Sequence, residues 1–322
     1  GNVAPTASLT GADTINEGSV YTLNVGPISD PGSDTRTAYA INWGDGNTDT
    51  LSAAQWAAAG GNFTHTYVDG GNGGTARSIS VSASDEDGTF TLGSKSLTVN
   101  NAAPSLTLSG NATTNEGATY TLNLVGSDPA GSNDPLNYSI DWGDGTAVQN
   151  LTAAQLAALG GNVSHSFADD QDGPVNSTPR SIQVTVSDGD GGSTQQSKTV
   201  NVNNVAPTLA LSGVGSVQVN TVYTLNLGAI TDPGTDTVSQ YIIDWGDGAN
   251  QAVNSAGNVS HTYSSTGNRT IAVNLVDEDG THNNAGTFAV QVNAATPTLS
   301  LEAGADVSLS EGQALLRTIN FS

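Results

Sequence analysis

Aspartates set among glycines recur along this 322-residue chain in a pattern suited to holding a hard cation. Asp30, Asp128 and Asp232 each precede a proline. Asp85 and Asp87, Asp188 and Asp190, and Asp277 and Asp279 stand in Asp-x-Asp-Gly or its near equivalent. Glu17 and Glu116 occupy Asn-Glu-Gly, and the amides Asn2, Asn100 and Asn101, and Asn203 and Asn204 come shortly before Ala-Pro. Ca²⁺ takes six to eight oxygens from carboxylates, amides and carbonyls in a flexible cage, whereas Mg²⁺ demands a tighter octahedron. A single Asp-Gly loop also reads as a turn whose carboxylate bonds its own backbone. The metal reading therefore rests on several loops meeting at one place.

A second chemistry is carried by Asp45 with His65, Asp144 with His165, and Asp247 with His261. An Asp–His pair can serve as a base with its orienting group. No nucleophile recurs beside these pairs, and an enzyme seldom carries one site three times in tandem. The expected role is structural, with the aspartate tying down a Gly turn and the histidine marking a strand edge. His282 has no counterpart in the repeat and is expected to be exposed.

The chain carries 30 acidic residues against 7 basic ones, for a formal charge of -23. Such a surface repels phosphates and anionic lipid, which argues against nucleic acid and membrane insertion, and it attracts cations. Charged residues make up only 11% of the chain, too few for a solvated acidic tail. Cysteine is absent, so no disulfide can staple the fold, and carboxylate-bound cations are the natural substitute. Methionine is absent too, and the chain reads as an internal or processed piece of a longer one.

The elements that must position these acids come from a repeat. Trp-Gly-Asp-Gly occurs at Trp43, Trp142 and Trp245, at steps of 99 and 103 residues. Tyr-Thr-Leu-Asn recurs at Tyr21, Tyr120 and Tyr223; a His followed two residues on by an aromatic recurs as His65/Tyr67, His165/Phe167 and His261/Tyr263; Pro5, Pro104, Pro207 and Pro297 open the units. Ala7–Thr10, Tyr21–Val25, Ala38–Trp43, Ser78–Ser84 and Leu92–Asn100 alternate apolar and polar residues between turn clusters, as strands do. The expectation is an all-β chain of tandem immunoglobulin-like β-sandwiches at 1–101, 102–204 and 205–294, with 295–322 the first strands of an incomplete fourth unit. Alanine-rich segments at 51–60 and 151–160, each ending in Gly-Gly, predict a short helix in the first two units, packed through Trp56 and Leu156. Trp43, Trp142 and Trp245 should anchor the cores.

Trp-Gly-Asp-Gly, then His-Thr-Tyr, then a hydrophobic strand ending in Asp-x-Asp-Gly resembles the PKD repeat, an immunoglobulin-like sandwich, most cleanly from Trp245 to Gly280. In such a sandwich the loop after the second strand and the loop before the last share the pole that receives the incoming linker. That places Asp30, Asp85 and Asp87 with Asn2, Asp128, Asp188 and Asp190 with Asn100 and Asn101, and Asp232, Asp277 and Asp279 with Asn203 and Asn204. Glu17 and Glu116 fall at the opposite pole, facing the next unit, and Val219 replaces them in the third. The linkers resemble calcium-binding cadherin linkers with Asn where Asp is usual. The tandem arrangement resembles bacterial surface proteins and adhesins. It implies an extracellular stalk or adhesin extender with Ca²⁺-rigidified joints, or else a self-assembling surface-layer or filament subunit, or a binding or spacer module of a secreted enzyme. Neighbouring domains of the same chain are the implied partners, with other copies or a cell-surface glycan as further ones.

Overall fold

The computed structural model describes residues 3–32, 34–170, 177–297 and residue 311. Asn2 and nearly all of the expected fourth unit lie outside the described residues. The described chain folds as three two-sheet sandwiches.

In the first, the strands are β1 (Leu9–Thr10), β2 (Thr14–Asn16), β3 (Val20–Val25), β4 (Ala38–Asn42), β5 (Thr48–Ser52), β6 (Asn62–Thr66), β7 (Thr75–Asp85) and β8 (Gly88–Asn100). They form sheets ordered β1-β3-β6 and β2-β8-β7-β4-β5. Strict alternation in β3 turns Tyr21, Leu23 and Val25 inward. They meet Ile41, Trp43, Ile79, Val81 and Val99 from the facing sheet, each fully buried. Burying each Leu, Ile or Val contributes about 1.5–3 kcal/mol. The opening segment divides between the sheets: β1 runs antiparallel to β3, and β2 runs parallel to β8.

The second sandwich repeats the order with β9 (Ser105–Gly110), β10 (Thr113–Asn115), β11 (Thr119–Ser127), β12 (Asn137–Asp141), β13 (Gln149–Thr152), β14 (Asn162–Ser166), β15 (Ser177–Ser187) and β16 (Ser193–Asn203), as sheets β9-β11-β14 and β10-β16-β15-β12-β13. The third repeats it again with β17 (Thr208–Gly213), β18 (Ser216–Gln218), β19 (Val222–Thr231), β20 (Gln240–Asp244), β21 (Asn250–Val253), β22 (Gly257–Thr262), β23 (Gly267–Val276) and β24 (Thr281–Asn293), as sheets β17-β19-β22 and β18-β24-β23-β20-β21. Trp142 and Trp245 are buried in the position of Trp43.

Helices α1 (Ala53–Ala59) and α2 (Ala153–Ala158) interrupt the first two sandwiches. Both start on a capping box, Ser52 with Gln55 and Thr152 with Gln155, which satisfies free backbone N–H groups at the helix start. Helix α1 ends on Gly60 in a left-handed conformation, φ 59°. Trp56 stacks on Tyr39 with centroids 4.2 Å apart and tilts against Phe63 at 4.5 Å, while Leu156 is buried at the matching place. Trp56 is thus packed onto its sandwich. The third sandwich joins β21 to β22 by a short turn instead. Among the described residues no helix is long and apolar enough to cross a membrane.

The chain packs as two compact units. One comprises Gly1–Thr114, Thr119–Ser166 and Pro179–Asn201; the other comprises Asn115–Ala118, Phe167–Thr178 and Val202–Ser322.

Candidate metal centres

The Asp–His pairs belong to the scaffold. His65 Nε2 lies 2.7 Å from Asp45 Oδ2, and its ring stacks on Trp43 at 4.8 Å and 9°. His165 and His261 stand 2.6 Å and 2.8 Å from Asp144 and Asp247 and stack on Trp142 and Trp245. Burial alone would raise the Asp45 carboxyl, but hydrogen bonds from His65 and Asn47 outweigh it and hold it below the usual range. An ionised carboxylate only accepts, so Nε2 carries the donated proton. Tyr67 and Tyr263 donate to the carbonyls of Trp43 and Trp245 at 3.0 and 3.1 Å, closing the corner. His282 departs from its expected exposure. Its Nε2 lies 2.7 Å from Asp277 Oδ2 and its side chain is 9% exposed, because the turn after β23 folds it back onto that carboxylate.

The first acidic cluster lies within the first compact unit. Strand β2 ends at Asn16, and the Glu17 N–H donates to Asn100 O at 3.0 Å, which fixes the start of the turn. Gly18 follows at φ 69°, and a Cβ there would come within 2.7 Å of Pro129 in the next sandwich. Asn-Glu-Gly therefore needs its glycine both for the left-handed backbone and for close approach to the Asp-Pro loop. Glu17 is 1% exposed and accepts from the N–H groups of Gly70 at 2.6 Å and Ala102 at 2.9 Å.

Four aspartates surround it. Asp128 accepts from Ala130 N–H at 2.8 Å with one oxygen, and its Oδ2 is buried with no hydrogen-bond partner. Asp134, delivered by a 3₁₀ turn at Gly131–Asn133, is 2% exposed and also buries an unpartnered Oδ2. Carboxylate oxygens of Glu17, Asp128 and Asp134 lie within 4.8 Å of one another, and so do those of Asp69, Asp134 and Asp190. Two carboxylates at such a separation repel by about 3–4 kcal/mol at an effective dielectric of ~20. Burial, then the charges of Asp190, Glu17, Asp69 and Asp128, push the Asp134 carboxyl up to about 7. Among the described residues no Lys, Arg or His forms an ion pair with any of these five carboxylates.

The second cluster lies within the second unit and follows the same plan. Glu116, 1% exposed, accepts from Val205 N–H at 2.6 Å and Asp170 N–H at 3.3 Å. Gly117 at φ 65° abuts Pro233 as Gly18 abuts Pro129. Oxygens of Glu116, Asp169 and Asp170 gather within 4.8 Å, as do those of Glu116, Asp232 and Asp236. Both oxygens of Asp236 and one each of Asp232 and Asp279 are buried without a hydrogen-bond partner. Burial, then Glu116 and Asp169, raises Asp236 to about 8; burial, then Asp279 and Glu116, raises Asp170 to about 7.

The expected site residues thus divide. Glu17 and Asp128 come together, and Asp190 joins them only through the shared Asp134; Glu116 and Asp232 come together, and Asp279 borders that second group, accepting from Asn204 Nδ2 at 2.6 Å. Asp188 stands outside the close groups: its Oδ1 accepts from Asp190 and Gly192 N–H and its Oδ2 from Asn101 Nδ2. Asp277 accepts from Asp279 and Gly280 N–H and faces His282. Asn101 keeps a buried, unpartnered Oδ1 beside the first cluster. Asn100 and Asn203 contribute backbone carbonyls that seat Glu17 and Glu116. Asp85 holds its own turn through Asp87 and Gly88 N–H, and Asp30 pairs with Arg36. Asp69, Asp134, Asp169, Asp170 and Asp236 are central to the clusters yet were not among the expected ligands. A signal for two of them is present: Asp69 and Asp169 follow the repeat aromatic by two residues in the units that carry the glutamate, and Ser265 takes that place where Val219 replaces it.

Comparison with known proteins adds one family. No curated protein matches the chain. Among solved structures, the three N-terminal domains of the Highly Immunogenic Outer Capsid protein (Hoc) of bacteriophage RB49 align at 13% identity over 91% of this chain and 99% of that one, with a TM-score of 0.26. Fibronectin(III)-like modules of CbhA from Clostridium thermocellum align at 12% identity over 61% of this chain and 93% of that one, with a TM-score of 0.23. At those scores neither likeness bears on the sites. Residues 204–292 match the family model of the PKD domain, and the sheet order of that sandwich recurs strand for strand in the two before it.

Proposed function

We propose that the chain is an extracellular structural array whose joints are clamped by Ca²⁺. The observation that carries this reading is the origin of the ligands. In each cluster a glutamate and an aspartate from one sandwich (Glu17 and Asp69; Glu116 and Asp169) meet aspartates from the next (Asp128, Asp134 and Asp190; Asp232 and Asp236). A cation held by both partners stabilises only the arrangement in which they meet. Without one, buried carboxylates with unpartnered oxygens would face each other, a costly state. The oxygen-only donor set, drawn from several loops, suits Ca²⁺ better than Mg²⁺ or a softer metal.

Residues with no place in the clusters fit the same role. The Asp–His–Trp corners are structural, the helices are decoration on two sandwiches, and the net charge of -23 favours cation uptake. Calorimetry in millimolar calcium and after chelation tests the reading. With free calcium ~100-fold above the dissociation constant, each ion adds about 2.7 kcal/mol to the folded state. The unfolding midpoint should rise by roughly 10 °C or more for domains of this size. The variant Asp134→Asn/Asp236→Asn should lose most of that rise. An unchanged midpoint in the unaltered chain would leave the acidic loops as ordinary turns.

A further inference from the structure

We infer that the first joint holds two divalent cations bridged by Asp134, one between Glu17, Asp128 and Asp134 and the other between Asp69, Asp134 and Asp190. The inference rests on the calcium reading above and deepens it. Two separate three-carboxylate groups are present, and Asp134 is the one residue they share. Asp134 is 2% exposed, and its Oδ2 is buried without a hydrogen-bond partner, so its burial is unexplained by the protein's own donors. Among the described residues no basic side chain forms an ion pair with a carboxylate of either group; Arg77 Nη2 reaches only the backbone carbonyl of Asp69, at 3.4 Å.

Charge decides between one ion and two. Five carboxylates carry five negative charges, so one divalent ion leaves three uncompensated in a buried cluster, and two leave one. The groups also face different surroundings. The Glu17 side is closed over by Gly70 and Ala102, whose N–H groups take both glutamate oxygens as acceptors. The Asp190 side opens on a cleft lined by Asn100, Asn101, Asp190 and Gly191, where water can complete a coordination shell. The two ions should therefore differ in exchange rate, the outer one leaving first.

Native mass spectrometry and equilibrium dialysis of the full chain against ⁴⁵Ca²⁺ count the ions directly. Asp128→Asn and Asp190→Asn should each lower the count by one and their combination by two, while Asp134→Asn alone should lower it by two. If the double variant and Asp134→Asn each lose a single ion, the joint is mononuclear; the inference is overturned and the calcium clamp survives. If the unaltered chain binds none, both fall together. Should Asp134→Asn not fold, the additivity of Asp128→Asn and Asp190→Asn decides alone, and stopped-flow chelation should show two release phases in the unaltered chain, one of them missing in Asp190→Asn.

Discussion

The same two loops occur at the leading pole of every sandwich, and they end in different chemistry. In the second and third, the Asp-Pro loops bring Asp128 and Asp134, or Asp232 and Asp236, against a glutamate of the preceding sandwich. In the first, Asp30 instead forms a 3.0 Å ion pair with Arg36, and no carboxylate group of the joint kind is found there among the described residues. The residue in the place of Arg36 is Pro135 in the second sandwich and Val238 in the third. One pole thus carries its own cation as a guanidinium, and the other two have an apolar side chain there. An acidic loop of this type needs a counter-charge, and the identity of one residue decides whether the chain supplies it internally.

The comparison is broken most severely by pH. Burial raises Asp134 and Asp170 to about 7 and Asp236 to about 8. In the unfolded chain these groups titrate near their ordinary value, so between pH 4 and pH 8 the folded state binds more protons and stability falls as pH rises. In chelator, lowering pH from 8 to 5 should stabilise the chain by a few kcal/mol, read as a rise of many degrees in the unfolding midpoint. Saturating calcium should abolish or reverse that slope, since ligation requires the ionised form. Differential scanning calorimetry across pH in both conditions checks it.

A smaller effect sharpens the comparison at one residue. Val238→Arg places a guanidinium near Asp232 and Asp236 where Arg36 serves Asp30. The variant should raise the midpoint in chelator and shrink the calcium-dependent rise contributed by the second joint, by about 1–3 kcal/mol for a partly buried charged hydrogen bond. An unchanged calcium response would show that Arg36 and the cation are not equivalent. The smallest effect belongs to Arg36→Leu, which removes a partly exposed pair and should cost about 0–1 kcal/mol, equally in calcium and in chelator.

The sandwich was legible because its signals are local. Alternation in Val20–Val25, the repeated Trp-Gly-Asp-Gly turn, and the alanine-rich segments that end in Gly-Gly each act within a few residues. Glu17 was legible from its pole. Asp134 was not, since its place depends on how a loop of unequal length folds: it stands six positions after Asp128, but Asp236 stands four after Asp232. Asp188 and Asp190 look alike in sequence, and only the turn shows that the first bonds backbone N–H groups and the second faces the cluster. His282 was misjudged for a related reason, because its partner Asp277 sits across a turn that repeat counting does not describe.

The divided opening segment has a mechanical consequence. Strand β2 lies parallel to β8 in register Thr14↔Thr98, Ile15↔Val99 and Asn16↔Asn100, and β18 lies parallel to β24 in the same way. Parallel strands at the two ends of one sandwich are pulled in opposite directions when its termini are drawn apart. The bonds of the patch, extended by Thr98 N–H to Asp13 O and Glu17 N–H to Asn100 O, are then strained side by side and must rupture together. An antiparallel hairpin under tension opens like a zipper, one bond at a time. Survival of such a sandwich under tension is set by the rate of that collective rupture, and Glu17, which joins the patch to the acidic cluster, couples the grip of the joint to the tensile strength of the sandwich before it.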